Sequence, residues 1–247
     1  MKRRIAAMVA TVVALSIVAS GCADQGESPA RPVDDPDGSA WAQPPHVETA
    51  VRDGADVVVR GRAGPDARVV LRGPDGAAVA VAADKAGRFE LRVPTGPGDI
   101  RLTPEVQIGE DAAPSPETLL LVRGGAGPLL LIAAGQPTRR LDGRGVLDAV
   151  DSDGAAVILS GRTAADPPTV TINGARVAAR VDAAGVWRAT AQGGGASTID
   201  IDGVRFAFPG LGSQSDFIPV RAGEGWRLTW PTGSGGRQTT WLPDRSS

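Results

Sequence analysis

Few side chains in this sequence are equipped for bond chemistry. There is one cysteine, Cys22, and one histidine, His46. A Ser-His-Asp or Cys-His device needs a histidine held beside its nucleophile. His46 instead borders a stretch rich in Pro, Asp, Ser and Gly, and reads as a surface residue. A Ser-Lys dyad would have to recruit Lys85, which stands inside a predicted turn where solvation accounts for it. A four-ligand zinc site is not available from one His and one Cys. Asp151, Asp153 and Gly154 fit part of a calcium loop, but Ala149 and Ser160 then occupy two ligand positions. A turn before a strand accounts for them better. Gly193-Gly194-Gly195 opens no predicted helix and is followed by no lysine, so it is a turn rather than a phosphate cradle. The 28 acidic residues leave open a carboxylate pair of the kind that hydrolyses glycosides, which needs two acids facing each other across a cleft. No catalytic residue, metal ligand set or cofactor pattern is assigned.

Two groups offer binding chemistry. Trp226, Trp230 and Trp241 in the C-terminal stretch are a candidate platform for a sugar ring or a peptide, with a packed C-terminal core as the alternative. Arg139, Arg140 and Arg144 are candidates for anionic contacts, although Asp142 dilutes their charge and a solvated connection explains them more simply. A formal charge of −2 over 247 residues argues against nucleic acid, which calls for a clustered basic face.

The elements that must position these groups are strands. Asp53-Gly54-Ala55, Val57-Val58-Val59 and Gly61-Arg62 recur as Asp153-Gly154-Ala155, Val157-Ile158-Leu159 and Gly161-Arg162. Asp84-x-x-Gly87-x-Phe89 recurs as Asp182-x-x-Gly185-x-Trp187. A period this long indicates tandem domains rather than a solenoid of short repeats. Within each copy short valine-rich runs are separated by turn sequences such as Pro74-Asp75-Gly76 and Asn173-Gly174. Phe89 and Trp187 are expected in the core. Thr118–Val122 and Leu129–Ala133 are predicted strands across a turn. The stretch from Pro231 to Gly236 joins predicted strands at Arg227–Trp230 and Gln238–Leu242, where Trp241 is expected to meet Trp226 and Trp230 on one face. No segment beyond the N-terminus has a sustained helical period. The fold class is therefore all-β, with two small tandem β-sandwiches of two sheets each.

The N-terminus has a different character. Lys2, Arg3 and Arg4 precede an uncharged run from Ile5 to Val18, which has the length and flanks of a secretory signal peptide. Residues 22–44 are rich in Pro, Asp, Ser and Gly with hardly a bulky apolar residue beyond Trp41, and read as a flexible tether. The division is 1–21 signal peptide, 22–44 tether, 45–137 first sandwich, and 138–247 second sandwich with a Trp-rich hairpin.

Ala19-Ser20-Gly21-Cys22 resembles the lipobox of bacterial lipoproteins. The resemblance implies a diacylglycerol on Cys22, cleavage before it, and anchoring to a membrane through the acyl chains. Ala23, rather than an aspartate, follows the cysteine. In the Gram-negative members of that family this favours the outer membrane, with an inner-membrane or Gram-positive address as alternatives. Val57–Arg60, Gly61-Arg62-Ala63, Arg68–Arg72, Asp84–Phe89 and Val93-Pro94 resemble bacterial immunoglobulin-like and carboxypeptidase-regulatory-like domains; the second copy departs at Thr163 and lacks the Val-Pro ending. The resemblance implies that the two sandwiches are immunoglobulin-like, and such domains imply no activity by themselves. The expectation is a non-enzymatic, lipid-anchored envelope protein that binds an envelope protein or a glycan as an assembly, adhesion or scaffold module. A carbohydrate-binding module built on the C-terminal tryptophans and a carboxylate-based hydrolase are the alternatives.

Overall fold

A computed structural model describes residues 43–143, 145–163, 166–233 and 235–245. The expected signal peptide, Cys22, most of the expected tether with Trp41, and Arg144 lie outside the described residues. The described chain is all-β and forms one compact unit.

Four sheets account for it. In the first, β2 (Asp56–Arg62) lies between β1 (His46–Asp53) and β5 (Arg88–Pro94). The second contains β3 (Arg68–Arg72), β4 (Ala78–Ala82), β6 (Ile100–Ile108), β8 (Thr118–Leu121), β9 (Leu129–Ile132) and β10 (Arg139–Arg140) in the order β10-β9-β8-β6-β3-β4, while β7 (Asp111–Pro114) also pairs with β6. The third contains β11 (Ala149–Ser152), β12 (Val157–Arg162), β15 (Ala179–Val181), β16 (Val186–Ala191), β19 (Val220–Arg221), β20 (Gly225–Pro231) and β21 (Arg237–Pro243), ordered β15-β16-β12-β11-β21-β20-β19. The fourth runs β14-β13-β17-β18, from β13 (Val170–Ile172), β14 (Ala175–Val177), β17 (Ser197–Ile201) and β18 (Val204–Phe208).

The repeated motifs occupy the same places twice. The set β1-β2-β5 with β4-β3-β6 recurs as β11-β12-β16 with β14-β13-β17. In each copy an aspartate closes the turn before the core aromatic: Asp84 Oδ1 accepts the backbone N–H groups of Ala86 and Arg88, and Asp182 Oδ1 those of Ala184 and Val186. The glycines that follow, Gly87 and Gly185, sit at φ +74° and +75°, a left-handed conformation that an L side chain resists. The aromatic then faces a glycine across the neighbouring strand, Phe89 opposite Gly61 and Trp187 opposite Gly161. Glycine is required there for space: a Cβ on Gly161 would lie 2.1 Å from the Val146 carbonyl oxygen and 2.7 Å from Trp187 Nε1.

Strands β8 and β9 explain why the sheets form one body. Their sequences, Thr118-Leu-Leu-Leu and Leu129-Leu-Leu-Ile, do not alternate, as is expected of strands buried on both faces. Leu119, Leu121, Leu129 and Leu131 face the first sheet, joining Val47, Val59, Phe89 and Leu91. Leu120, Val122, Leu130 and Ile132 face the other way, onto Ala149, Leu228, Trp230 and Leu242 of the third sheet. The third sheet turns its opposite face to the fourth, with Val150, Leu159, Trp187 and Trp241 against Val170, Ile199 and Phe208. Four layers therefore enclose three cores. The large side chains of the middle core would all be exposed if the halves parted. At about 1.5–3 kcal/mol each, their burial amounts to on the order of 10 kcal/mol, comparable with the whole stability of an ordinary domain. The first core also takes in Leu141, because β10 pairs with β9.

Two outcomes follow from this packing. Wild-type protein is expected to unfold calorimetrically in one transition, and Leu130→Asp to divide it into two; a single transition shifted by less than about 1 kcal/mol would contradict a shared middle core. Gly161→Ala is expected to lose about 3 kcal/mol in urea titrations, whereas Gly154→Ala, in open space, should lose only what its positive φ imposes.

Candidate functional site

The C-terminal hairpin disposes of the tryptophans differently from expectation. Its register pairs Trp226 with Leu242 and Arg227 with Trp241. Trp226, Leu228 and Trp230 do share a face, toward the middle core, but Trp241 lies one position out of phase and faces the third core. There its Nε1 donates to the Ala222 carbonyl at 2.9 Å and its ring meets Phe208 edge-on at 5.4 Å. Trp230 is 2% exposed and Trp241 1%. The three rings thus form no exposed platform. Trp226 alone is half-buried, with the guanidinium groups of Arg221 and Arg123 at 5.0 and 5.6 Å from its ring centre. Arg101 lies over Phe217 in the same manner at 4.3 Å. Arg101 and Arg123 reach from the first half onto rings of the second, so these cation–π contacts seal the rim of the middle core.

Arg139 and Arg140, expected in a solvated connection, are structural. Arg139 donates to Glu117 at 3.1 Å and to the Val47 carbonyl at 3.0 Å. Arg140 is 3% exposed; it forms a two-pronged pair with Asp142 and donates to the carbonyl of Pro243. Asp148, also buried, accepts from Arg162 and Arg245. Breaking one member of such a pair strands a charge out of water, so these contacts lock the connection to both halves. His46 stays largely exposed, 3.6 Å from Glu117 at the margin of a polar cleft of about 450 Å³. Lys85 is exposed in its turn. Among the described residues, no three His, Cys, Asp or Glu side chains are grouped to hold a metal.

The most unusual environment belongs to Asp151, which by sequence belongs only to a turn. It lies in β11 and is 2% exposed, on the face that turns toward the second sheet. Thr138 donates its backbone N–H to Oδ2 at 3.0 Å and its hydroxyl to Oδ1 at 2.6 Å. Gln238, on β21, holds the same connection by accepting from Gly135 N–H at 3.2 Å and donating to the Gln136 carbonyl at 2.7 Å. A pocket of about 150 Å³ adjoins the carboxylate, lined by Pro137, Ala155, Ala156, Ile158, Asp153 and Gln238 among others. Burial pushes Asp151 up to about 6, opposed first by the Thr138 bonds and then by the Thr240 and Gln238 side chains. Asp153 moves the opposite way, lowered chiefly by the backbone N–H of Ala155 within its own turn. Two acids with divergent ionisation beside one pocket meet part of the requirement of a carboxylate hydrolase. One Asp153 oxygen is nevertheless held by that turn, and both Asp151 oxygens by Thr138.

No family model matches the chain, and no curated protein matches it by sequence. Among solved structures, similarity is found to a Ca²⁺-stabilised adhesin that helps an Antarctic bacterium reach out and bind ice. The identity is 14%, the match covers 65% of this chain and 44% of that one, and the TM-score is 0.23. A likeness at this level carries no argument about fold or ligand.

The Asp151 environment has a measurable signature. Its folded-state value lies above the ordinary carboxylate value, so the stability it confers is complete at acid pH and is lost as pH rises through about 6. A displacement of this size corresponds to roughly 3 kcal/mol. Asp84 and Asp182, lowered chiefly by backbone N–H groups of Arg88 and Val186, act in reverse: their contribution exists above the ordinary carboxylate range and is lost on acidification. Asp151→Asn is expected to flatten the stability profile between about pH 4 and 8 and to raise stability at pH 8 by about 1–3 kcal/mol. Parallel profiles of wild type and variant in urea titrations would show that Asp151 does not titrate in this range.

Proposed function

We propose that this protein is a lipid-anchored component of the cell envelope that acts by surface contact, as a binding, assembly or scaffold module, without catalysing a reaction. The observation that carries the reading is the position of the chain's one cysteine, directly behind Ala19-Ser20-Gly21 and a basic-then-apolar leader. A diacylglycerol on Cys22, with further acylation of the new N-terminus, supplies enough buried methylenes for stable attachment, where a single chain would not. Loss of Met1–Gly21 removes three of the 26 basic residues and none of the 28 acids, moving the formal charge from −2 to −5. The lipid must then do the anchoring unaided by attraction to acidic headgroups. The outer membrane is the favoured address.

The stacked sheets suit a contact role. A body whose layers share their cores presents its outer faces and loops in fixed relation, which lowers the ordering cost of binding. The kinship of the two copies with bacterial immunoglobulin-like domains belongs to the same reading, with an envelope protein or glycan as partner. The burial of Trp230 and Trp241 removes support from a tryptophan-based sugar platform.

Labelling with a radioactive or clickable fatty acid in a bacterial host tests the anchor. Wild-type protein is expected to take up label and sediment with membranes, and Cys22→Ser to lose both. Label retained in Cys22→Ser, or none in the wild type, would overturn the assignment.

A further inference from the structure

Buried carboxylates in this fold are otherwise matched by cations. Glu105 has Arg72 at 2.5 Å, Asp142 has Arg140 at 2.7 Å, and Asp148 has Arg162 and Arg245 at 3.3 and 2.5 Å. Asp151 is as deeply buried as any of these, yet among the described residues no cation pairs with it. The groups that face it, Thr138, Thr240 and Gln238, are all neutral, and the other acid lining the pocket is Asp153. A carboxylate taken out of water without a counter-charge is a standing cost, and proteins normally relieve it with a partner. The adjoining pocket has an exposed rim at Gly135, Gln136, Asp153 and Ala155, with Asp151 buried in its lining.

We propose that this pocket binds a small organic cation, a primary ammonium on a short apolar stem, with Asp151 as its counter-charge. The site's chemistry selects this class. Thr138 already uses one lone pair on each carboxylate oxygen, so the two-pronged edge that a guanidinium fork would need is taken. A compact ammonium needs only a single contact on the carboxylate, whose other neighbours, Thr240 and Gln238, are neutral. Pro137, Ala155, Ala156 and Ile158 provide an apolar wall for the stem, within a volume of about 150 Å³ that admits only a few carbons. A divalent metal is disfavoured, since Asp153 Oδ1 is committed to the Ala155 N–H and, among the described residues, no third ligating side chain is grouped with these two. Gln238, bonded at both ends of its carboxamide, fixes the opposite wall. The pocket is independent of the anchor at Cys22, and either assignment can fail without the other.

The test is a titration of the full-length protein in neutral detergent at about pH 7.5, followed by calorimetry and by thermal shift. The probes are n-butylammonium, n-butanol as its neutral counterpart, and methylguanidinium. Saturable binding of n-butylammonium is expected, with n-butanol and methylguanidinium each at least about tenfold weaker. Asp151→Asn, which retains the fold, should lose the binding, and so should Ala156→Leu, which fills the pocket and leaves the carboxylate in place. Binding by the wild type should weaken below about pH 6 as the carboxyl takes up its proton. N-acetyl-lysine methylamide, included alongside, separates the two sources of such an amine: tighter binding than n-butylammonium indicates a lysine of a partner protein, and weaker binding a free amine. The proposal is overturned if n-butylammonium shows no saturation, if n-butanol binds equally well, or if Asp151→Asn binds undiminished.

Discussion

Two consecutive strands of leucine, β8 and β9, have no solvent face, and the rest of the architecture follows from covering both of their sides. One side is satisfied within the first copy of the repeat, by Val47, Val59, Phe89 and Leu91. The other side needs Leu228, Trp230 and Leu242 from the far end of the chain. Each copy alone would be a small sandwich without a disulfide, burying a smaller share of its surface than the joined body does. Sharing a middle core gives both copies burial that neither achieves separately. The charge pairs Arg140–Asp142 and Asp148–Arg245 then lie at the joint between them, where they fix the path of the connection.

Much of the fold is legible because its local rules are strict. Asp-x-x-Gly-x-aromatic encodes a turn with side-chain-to-backbone bonds, a left-handed glycine and a core ring, and both copies obey it. The unbroken apolar runs at Leu119–Leu121 and Leu129–Ile132 identify strands, although not what lies on their second face. Trp241 departs from its expected place because the register of a hairpin fixes the face of every residue in it. It stands opposite Arg227 rather than Trp226, and that single step sends its ring to another core. Arg139 and Arg140 resemble a polar linker since composition does not reveal that β10 extends a sheet; the one local hint is Asp142, two residues on, at strand spacing from Arg140.

Asp151 shows most clearly what sequence alone leaves out. At the offset of the repeat its counterpart is Val51, which is 51% exposed. The hydrophobic residue thus stands in water and the acid stands in the interior, the reverse of simple expectation. The reason is stacking: β1 is an edge strand of an outer sheet, whereas β11 has β21 beside it and the second sheet's layer over its face. The same position in the same fold acquires opposite environments from its neighbours. The pocket beside Asp151 accordingly has no equivalent motif in the first copy.

The strands that complete the middle core, β20 and β21, are the last of the described chain. A growing polypeptide therefore finishes β8 and β9 long before their outer leucines have anything to rest against, and β11 waits for its pairing partner β21 across nearly the whole second copy. Contacts so distant along the chain form slowly, and an uncovered apolar sheet face is prone to self-association while it waits. For this molecule the vulnerable interval is the time between synthesis of Leu129–Ile132 and arrival of the final hairpin. Both the second edge of β11 and the cover over the outer leucines thus arrive together, with Arg237–Pro243.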